Sequence, residues 1–342
     1  MSPQADADAL VLAADVGGTK TALALAEARV GAEPRFRRRA ESAAWPDFET
    51  LARDFLAASG RPRLAAIAVA AAGPLDARAQ RIDVTHLPWH LDAARIAAAL
   101  AAPHVALLND FTASARGQLE LPAEAFACVQ GDAPRRPGTL GLLGAGTGLG
   151  EAVVAFDGAR ARVLPSEGGQ ASFAPRTPRE IALLQHLAGP RGEHVPVEAI
   201  VSGPGLVRIH AFLRAEGGAK AAPRTDAAAI AEAGLRGDDP VCVEALEIFA
   251  ACYGAEAGNL ALRAWAQGGV WLGGGIAPKL LPALRTPAFL EAFRARGPFT
   301  EWLASLPVAV CLADDAALRG ALAEARRIAA SEPSLRGTTS GA

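Results

Sequence analysis

The stretch 10-LVLAADVGGTKTALALAEA-28 is an apolar run, a Gly-Gly turn and a second apolar run, the pattern of a β-hairpin with glycines at its bend. The same grammar returns at 139-TLGLLGAGTGLGEAVVAF-156. Glycines at a bend leave room for a ligand's phosphates to approach backbone N–H groups. Neither DVGGTK (Asp15 to Lys20) nor GAGTGLG (Gly144 to Gly150) is a P-loop, because no G-x-x-x-x-G-K-[ST] is present. Neither is a dinucleotide fingerprint, whose glycines open a helix, whereas EAVVAF continues as a strand. One such hairpin alone reads better as a plain tight turn. Two of them, heading two similar halves, are accounted for together by a nucleotide whose phosphates lie between the lobes.

Outward from the first hairpin, the pattern predicts a helix from about Pro46 to Gly60, a strand in RLAAIAVAAAGPLD and a short helix over Asp92 to Ala101. A buried strand, His104 to Leu108, then runs into Asn109 and Asp110 just before another helix. A carboxylate there is costly to desolvate unless something compensates it. The Pro- and Gly-broken segment Leu121 to Gly138 reads as the crossing between lobes. After the second hairpin come a long helix over Pro240 to Ala266, a strand GVWLGGG, a helix after Pro278, a strand PVAVCLA and a helix from about Asp314 to Ala329. The expected class is α/β. A small lobe (1–120) is completed by the C-terminal helix (314–330), a larger lobe spans 121–313, and the tail 331–342 is expected to be disordered.

A chain of 342 residues, 51% hydrophobic and 20% charged, has the material for two packed domains. Its net charge of −2 gives no global pull towards nucleic acid or an anionic membrane. The basic cluster RFRRR (Arg35 to Arg39) alternates in the manner of a solvated strand face. The start MSPQADADAL lacks the basic flank of a signal peptide. No run approaches the ~18 apolar residues of a membrane span. Cys128, Cys242, Cys252 and Cys311 form no C-x-x-C pair, so reduced thiols in a cytoplasmic protein are expected and zinc is not.

Taken in order, Asp15-x-Gly17-Gly18-Thr19, Asn109-Asp110 in LLNDFTA, GAGTGLG, Glu167-Gly-Gly, FAP, VSGPGL and Gly-Gly-Gly-Ile276 resemble the bacterial glucokinase family, over about Leu10 to Ile328. The resemblance implies a two-lobed, actin-like ATPase (ribonuclease H-like) sugar kinase fold with a cleft between lobes. The implied reaction moves the γ-phosphate of ATP to the 6-hydroxyl of glucose. Asp110 matches the catalytic carboxylate, which chemistry supports: phosphoryl transfer needs positioning, charge neutralisation and a carboxylate at the nucleophile. A purely structural role for Asp110 would be to cap the helix starting at Phe111. Asn109, Glu167, Gln170 and Glu198 would hold the other sugar hydroxyls, since a neutral sugar is read by carboxylates and amides. Asp15 would sit near Mg²⁺, binding it largely through water. Gly17, Gly18 and Thr19, with Gly144, Gly146 and Thr147, would line the phosphates, and Gly274 and Gly275 the adenosine. Ser202 reads as the N-cap of a helix beginning near Pro204.

Two positions depart from the family: Gln170 where it has histidine, and His86 where it usually has asparagine. Both bear on sugar preference. The alternatives are a kinase for another hexose or amino sugar, and a non-catalytic sugar sensor. Amino-sugar and repressor-type relatives carry a cysteine-rich zinc motif that is absent here, and the sensors carry an N-terminal DNA-binding helix pair, whereas here the first strand is expected by Leu10. The resemblance further implies a homodimer.

Overall fold

The computed structural model describes residues 9–76, 78–158, 160–217 and 224–330. The expected disordered tail lies outside them, as does most of the acidic start. In the first part of the chain come β1 (Leu10–Val16), β2 (Lys20–Glu27), β3 (Phe36–Glu41), α1 (Phe48–Ala58) and β4 (Leu64–Ala71). Then follow β5 (Leu75–Asp76), β6 (Arg81–Asp83), β7 (His90–Asp92), α2 (Ala93–Leu100), β8 (Val105–Asn109) and α3 (Asp110–Leu119). The second part has β9 (Phe126–Gln130), β10 (Leu140–Ala145), β11 (Leu149–Asp157), β12 (Arg160–Ser166), α4 (Pro178–Ala188), α5 (Gly203–Glu216), α6 (Ala227–Arg236) and α7 (Pro240–Ala264). It ends with β13 (Gly269–Gly273), α8 (Leu281–Leu284), α9 (Pro287–Arg294), α10 (Thr300–Ser305), β14 (Val308–Cys311) and α11 (Ala316–Ala330). Among the described residues the chain divides into two compact units, one of residues 9–121 together with 315–330 and the other within Pro122–Asp314.

In the first unit the sheet order is β3-β2-β1-β4-β8. β1 and β2 form the antiparallel hairpin expected of LVLAADVGGTKTALALAEA, and β1, β4 and β8 run parallel. The RFRRR stretch is indeed a strand, β3, half-buried and exposed by turns. The helix expected from Pro46 starts two residues later. Asp47 takes the cap, its side chain accepting from the Thr50 N–H at 2.7 Å, and leaves the proline outside. The small sheet β5-β6-β7 was not legible as strands, for its pieces are two or three residues long.

α11 returns to this unit and lies against α3 at a glycine pair. A Cβ on Gly117 would stand 1.8 Å from the Ala316 carbonyl oxygen, and one on Gly320 1.7 Å from that of Ala113. The two backbones therefore touch, and Arg116 and Glu324 add an ion pair across the crossing. This contact braces the helix that opens with Asp110.

In the second unit the sheet order is β12-β11-β10-β13-β14-β9. β10 and β11 are the second hairpin, antiparallel, while β10, β13 and β14 run parallel. β9 is an antiparallel edge strand inside the segment read as a crossing. Its residues are half-buried, with only Gln130 buried, so the apolar signal of a core strand is missing. The 25-residue α7 is the core helix, and Gly254 and Gly258 let the α9 backbone come within contact at Phe289 and Phe293. The stretch after Pro278 is turn first, with α8 beginning only at Leu281. No helix among the described residues is long and apolar enough to cross a membrane.

Candidate functional site

In the first unit, Asp15 is the penultimate residue of β1, and Asp110 follows β8 directly as the first residue of α3. Both therefore lie at the carboxyl ends of parallel strands, with β4 between them, where open α/β sheets bind their ligands. Asp15 is half-buried. Burial above all, then the charge of Asp110, pushes its carboxyl up to about 6; the charge of Arg39 opposes this and no hydrogen bond contributes. Burial likewise raises Asp110, offset by hydrogen bonds from the Phe111 N–H and from Asn109. Two carboxylates under-compensated in this way offer oxygen donors of the kind a hard cation prefers.

The capping role weighed for Asp110 belongs to Asn109. The Asn109 Oδ1 accepts from the N–H groups of Phe111 and Thr112 at 3.0 and 3.2 Å. Its carbonyl is thus occupied, and its amide NH₂, which hydrogen-bonds Asp110, has a second N–H to donate to a hydroxyl. Asp110 Oδ1 accepts from the Phe111 N–H at 2.8 Å, which fixes the plane of the carboxylate.

The β1–β2 bend supplies donors unequally. Gly17 gives its N–H to the Lys20 carbonyl at 3.0 Å, closing the hairpin, so it contributes space and no donor. Gly18 and the exposed Thr19 complete the bend. A Cβ on Gly18 would lie 3.2 Å from the His86 Cβ, and His86 itself stands at φ 65°, in the left-handed region. Histidine, like asparagine, takes up that conformation more readily than most side chains.

In the second unit, the bend Gly146-Thr147-Gly148 is closed by the Gly146 N–H donating to the Gly148 carbonyl at 2.8 Å. Gly144 lies inside β10, paired with Gly150 and Gly273, so the sheet uses its backbone and the bend does not. The Gly146 carbonyl accepts from Gly203 N–H at 2.8 Å, tying the bend to the start of α5. That helix is capped by Ser202, which accepts from Gly205 N–H at 3.0 Å, as its sequence predicts. Gly274, at φ +78°, packs so closely that a Cβ would stand 2.4 Å from the Ala145 carbonyl oxygen, while Gly275 faces open space. Both are exposed.

Three sugar-directed expectations converge on the start of β11. Glu198 is half-buried; its carboxylate accepts from Leu149 N–H at 2.8 Å and from Gln170 Nε2 at 3.1 Å. It also presses on Gly148, where a Cβ would be 2.5 Å from Oε2. Glu167, just before a single 3-10 turn at Gly168–Gln170, and Gln170, its last residue, are both exposed. The glycines between them are forced: a Cβ on Gly169 would meet the Leu149 carbonyl oxygen at 2.2 Å, and one on Gly168 would meet Glu151 Oε2 at 1.9 Å. Glu151 was passed over by sequence reasoning. The signal was there, a carboxylate in the apolar strand EAVVAF, by the same logic that marked Asp110.

Elsewhere in this unit, ligand atoms of His210, Asp239 and Cys242 lie within 4.8 Å of one another. Asp239 is already engaged as the cap of α7 and faces Arg224 at 3.6 Å, an arrangement unlike an oxygen-rich magnesium site.

Against known proteins, the glucokinase family model matches residues 12–328. The glucokinase of Nostoc punctiforme is 35% identical over 93% of this chain and 99% of its own. That of Chromobacterium violaceum is 39% identical over 91% and 88%. Among solved structures, a glucokinase from an Antarctic psychrotroph superposes with a TM-score of 0.82 at 28% identity, covering 93% of this chain and 99% of that one. A ROK family glucokinase from Streptomyces griseus, solved with glucose and AMPPNP, gives a TM-score of 0.58 at 22% identity over 93% and 99%. Hairpin-led sheets with carboxylates at their strand ends are here the frame of a sugar kinase of the two-lobed, actin-like ATPase fold, and this chain belongs to the glucokinase family.

Proposed function

We propose that the protein is a glucokinase, transferring the γ-phosphate of ATP to the 6-hydroxyl of glucose. The observation that carries this reading is Asp110, a half-buried carboxylate of raised proton affinity held in a fixed plane at the head of a braced helix. A base of that kind takes the hydroxyl proton as the oxygen attacks, while Asn109 donates from its amide to a neighbouring hydroxyl. Glu167, Gln170 and Glu198 read the remaining edge of the sugar. Gly18, Thr19, Gly146 and Thr147 line the phosphates, and Gly274 and Gly275 leave room for the adenosine. Asp15 would hold Mg²⁺ largely through water, and the ion would neutralise charge on the transferred phosphate. Support for the two substrates comes from the relatives' names and from the glucose and AMPPNP of the Streptomyces griseus protein. The same reading includes a cytoplasmic homodimer, which light scattering checks. The deciding experiment is ADP release, coupled to an indicator reaction, across free glucose, mannose, fructose, galactose and N-acetylglucosamine with ATP and Mg²⁺. Specificity constants highest for glucose support the reading. Turnover with another sugar alone replaces the substrate, and no turnover with any hexose refutes it.

A further inference from the structure

Glu151 is 3% exposed, in the middle of a strand, and one of its oxygens, Oε1, is buried with no hydrogen-bond partner. The carboxyl of Glu256, also buried, comes from α7 to within hydrogen-bonding range of it. Glu256 itself is held by Arg263 and by the Asn259 amide, which donates to Oε2 at 3.0 Å. Arg263 reaches Glu151 only at 3.9 Å and is half exposed. A buried orphan oxygen beside a carboxylate is satisfied when one of the two acids carries a proton, as two close carboxylates cannot both ionise cheaply. On its other side Glu151 backs the turn so closely that a Cβ on residue 168 would stand 1.9 Å from its Oε2, which only glycine avoids.

We propose that Glu151 is the positioning residue of the turn that carries Glu167 and Gln170, and that it acts as the proton-bearing member of a carboxyl–carboxylate pair with Glu256. This rests on the sugar-kinase reading for its consequence, though not for the pair. Burial first, then the charge of Glu256, pushes Glu151 up to about 7, against the opposing charge of Arg263. The charges facing it are thus Glu256 and Arg263, both from α7; Arg296 bears on Glu256 from beyond. As pH rises through that range the proton leaves, the two carboxylates repel, and the turn loses its backing. Glutamine at 151 keeps the shape and a donor towards Glu256 and has no proton to lose.

The test compares wild type, Glu151→Gln, Glu151→Ala and Glu256→Gln at pH 6 and pH 8.5, reading glucose KM, kcat and the urea midpoint. Wild-type KM should rise roughly 5–10-fold over this range relative to Glu151→Gln, the worth of about one hydrogen bond. Glu151→Ala should show the raised KM at both pH values, with kcat within about threefold of wild type. The wild-type urea midpoint should fall between pH 6 and 8.5 more than that of Glu151→Gln. That comparison needs no sugar, so it stands even if no hexose is phosphorylated. Should the alanine variant not fold, Glu256→Gln carries the same expectation, a KM and a midpoint flattened against pH. A Glu151→Gln protein that keeps the wild-type pH dependence in both readouts, or whose KM at pH 6 equals that of Glu151→Ala, overturns the proposal.

Discussion

Replacing Asp15 with asparagine should make the ligand-free protein more stable at neutral pH while disabling it. The carboxyl is raised from 3.8 to about 6. An acid whose folded value is raised gives stability that is complete below its unfolded value and is lost as pH rises through the folded one. Wild type therefore loses this contribution between about pH 4 and pH 6, and above that range it carries a half-buried charge facing Asp110. The full shift corresponds to about 3 kcal/mol. Water reaching the half-buried oxygens reduces it, so a gain of about 1–3 kcal/mol is expected for Asp15→Asn at pH 7.5. For a unit of this size that is roughly 3–10 °C in melting temperature. The assay is thermal unfolding by circular dichroism of both proteins, without nucleotide or metal, at pH 4 and pH 7.5. The curves should nearly coincide at pH 4 and separate at pH 7.5, with the variant higher. A variant equal to or below wild type at pH 7.5 would refute the claim that Asp15 is held there against the interests of the fold. Turnover with ATP and Mg²⁺ should fall far more than glucose affinity; the reverse would remove Asp15 from the phosphate side.

Asp110→Asn should reduce kcat by ~10²–10⁴-fold in a folded protein, the usual worth of a general base, and steady-state kinetics on a sample with a wild-type circular dichroism spectrum will show it. Asn109→Ala should cost about 1 kcal/mol of stability as well as sugar affinity, because the side chain both caps α3 and offers its amide; urea titration beside glucose KM separates the two losses. Gln170→His should sharpen preference for glucose over mannose and 2-deoxyglucose by roughly 2–13-fold, mainly through KM, since one neutral hydrogen bond is at stake. An unchanged ratio of specificity constants would mean that Gln170 does not read the edge of carbon 2.

The hairpins were legible because they rest on local physics. Alternating or continuous apolar runs and glycines at the bend impose a strand-turn-strand whatever surrounds them, and both β1–β2 and β10–β11 formed in the expected places. Asp110 was legible for a related reason: a charge ending a buried strand calls for an explanation in any fold. Ser202 as a cap was equally local. Burial and partnership were not legible, since both depend on chain far away in sequence. Nothing in the order of residues told that Asn109, and not Asp110, would cap α3, or that Gly17 and Gly146 would spend their N–H groups closing their own bends. The glycines at 117 and 320 are 203 positions apart, and their meeting, with Leu318, Ala321 and Leu322 buried against the first sheet, is what holds the last helix on the first unit. Glu151 is the sharpest case. In sequence it shows only as a carboxylate in an apolar strand; folded, it lies between α7 and the turn bearing Glu167 and Gln170, where burial and a second carboxyl raise its proton affinity, which no local pattern encodes.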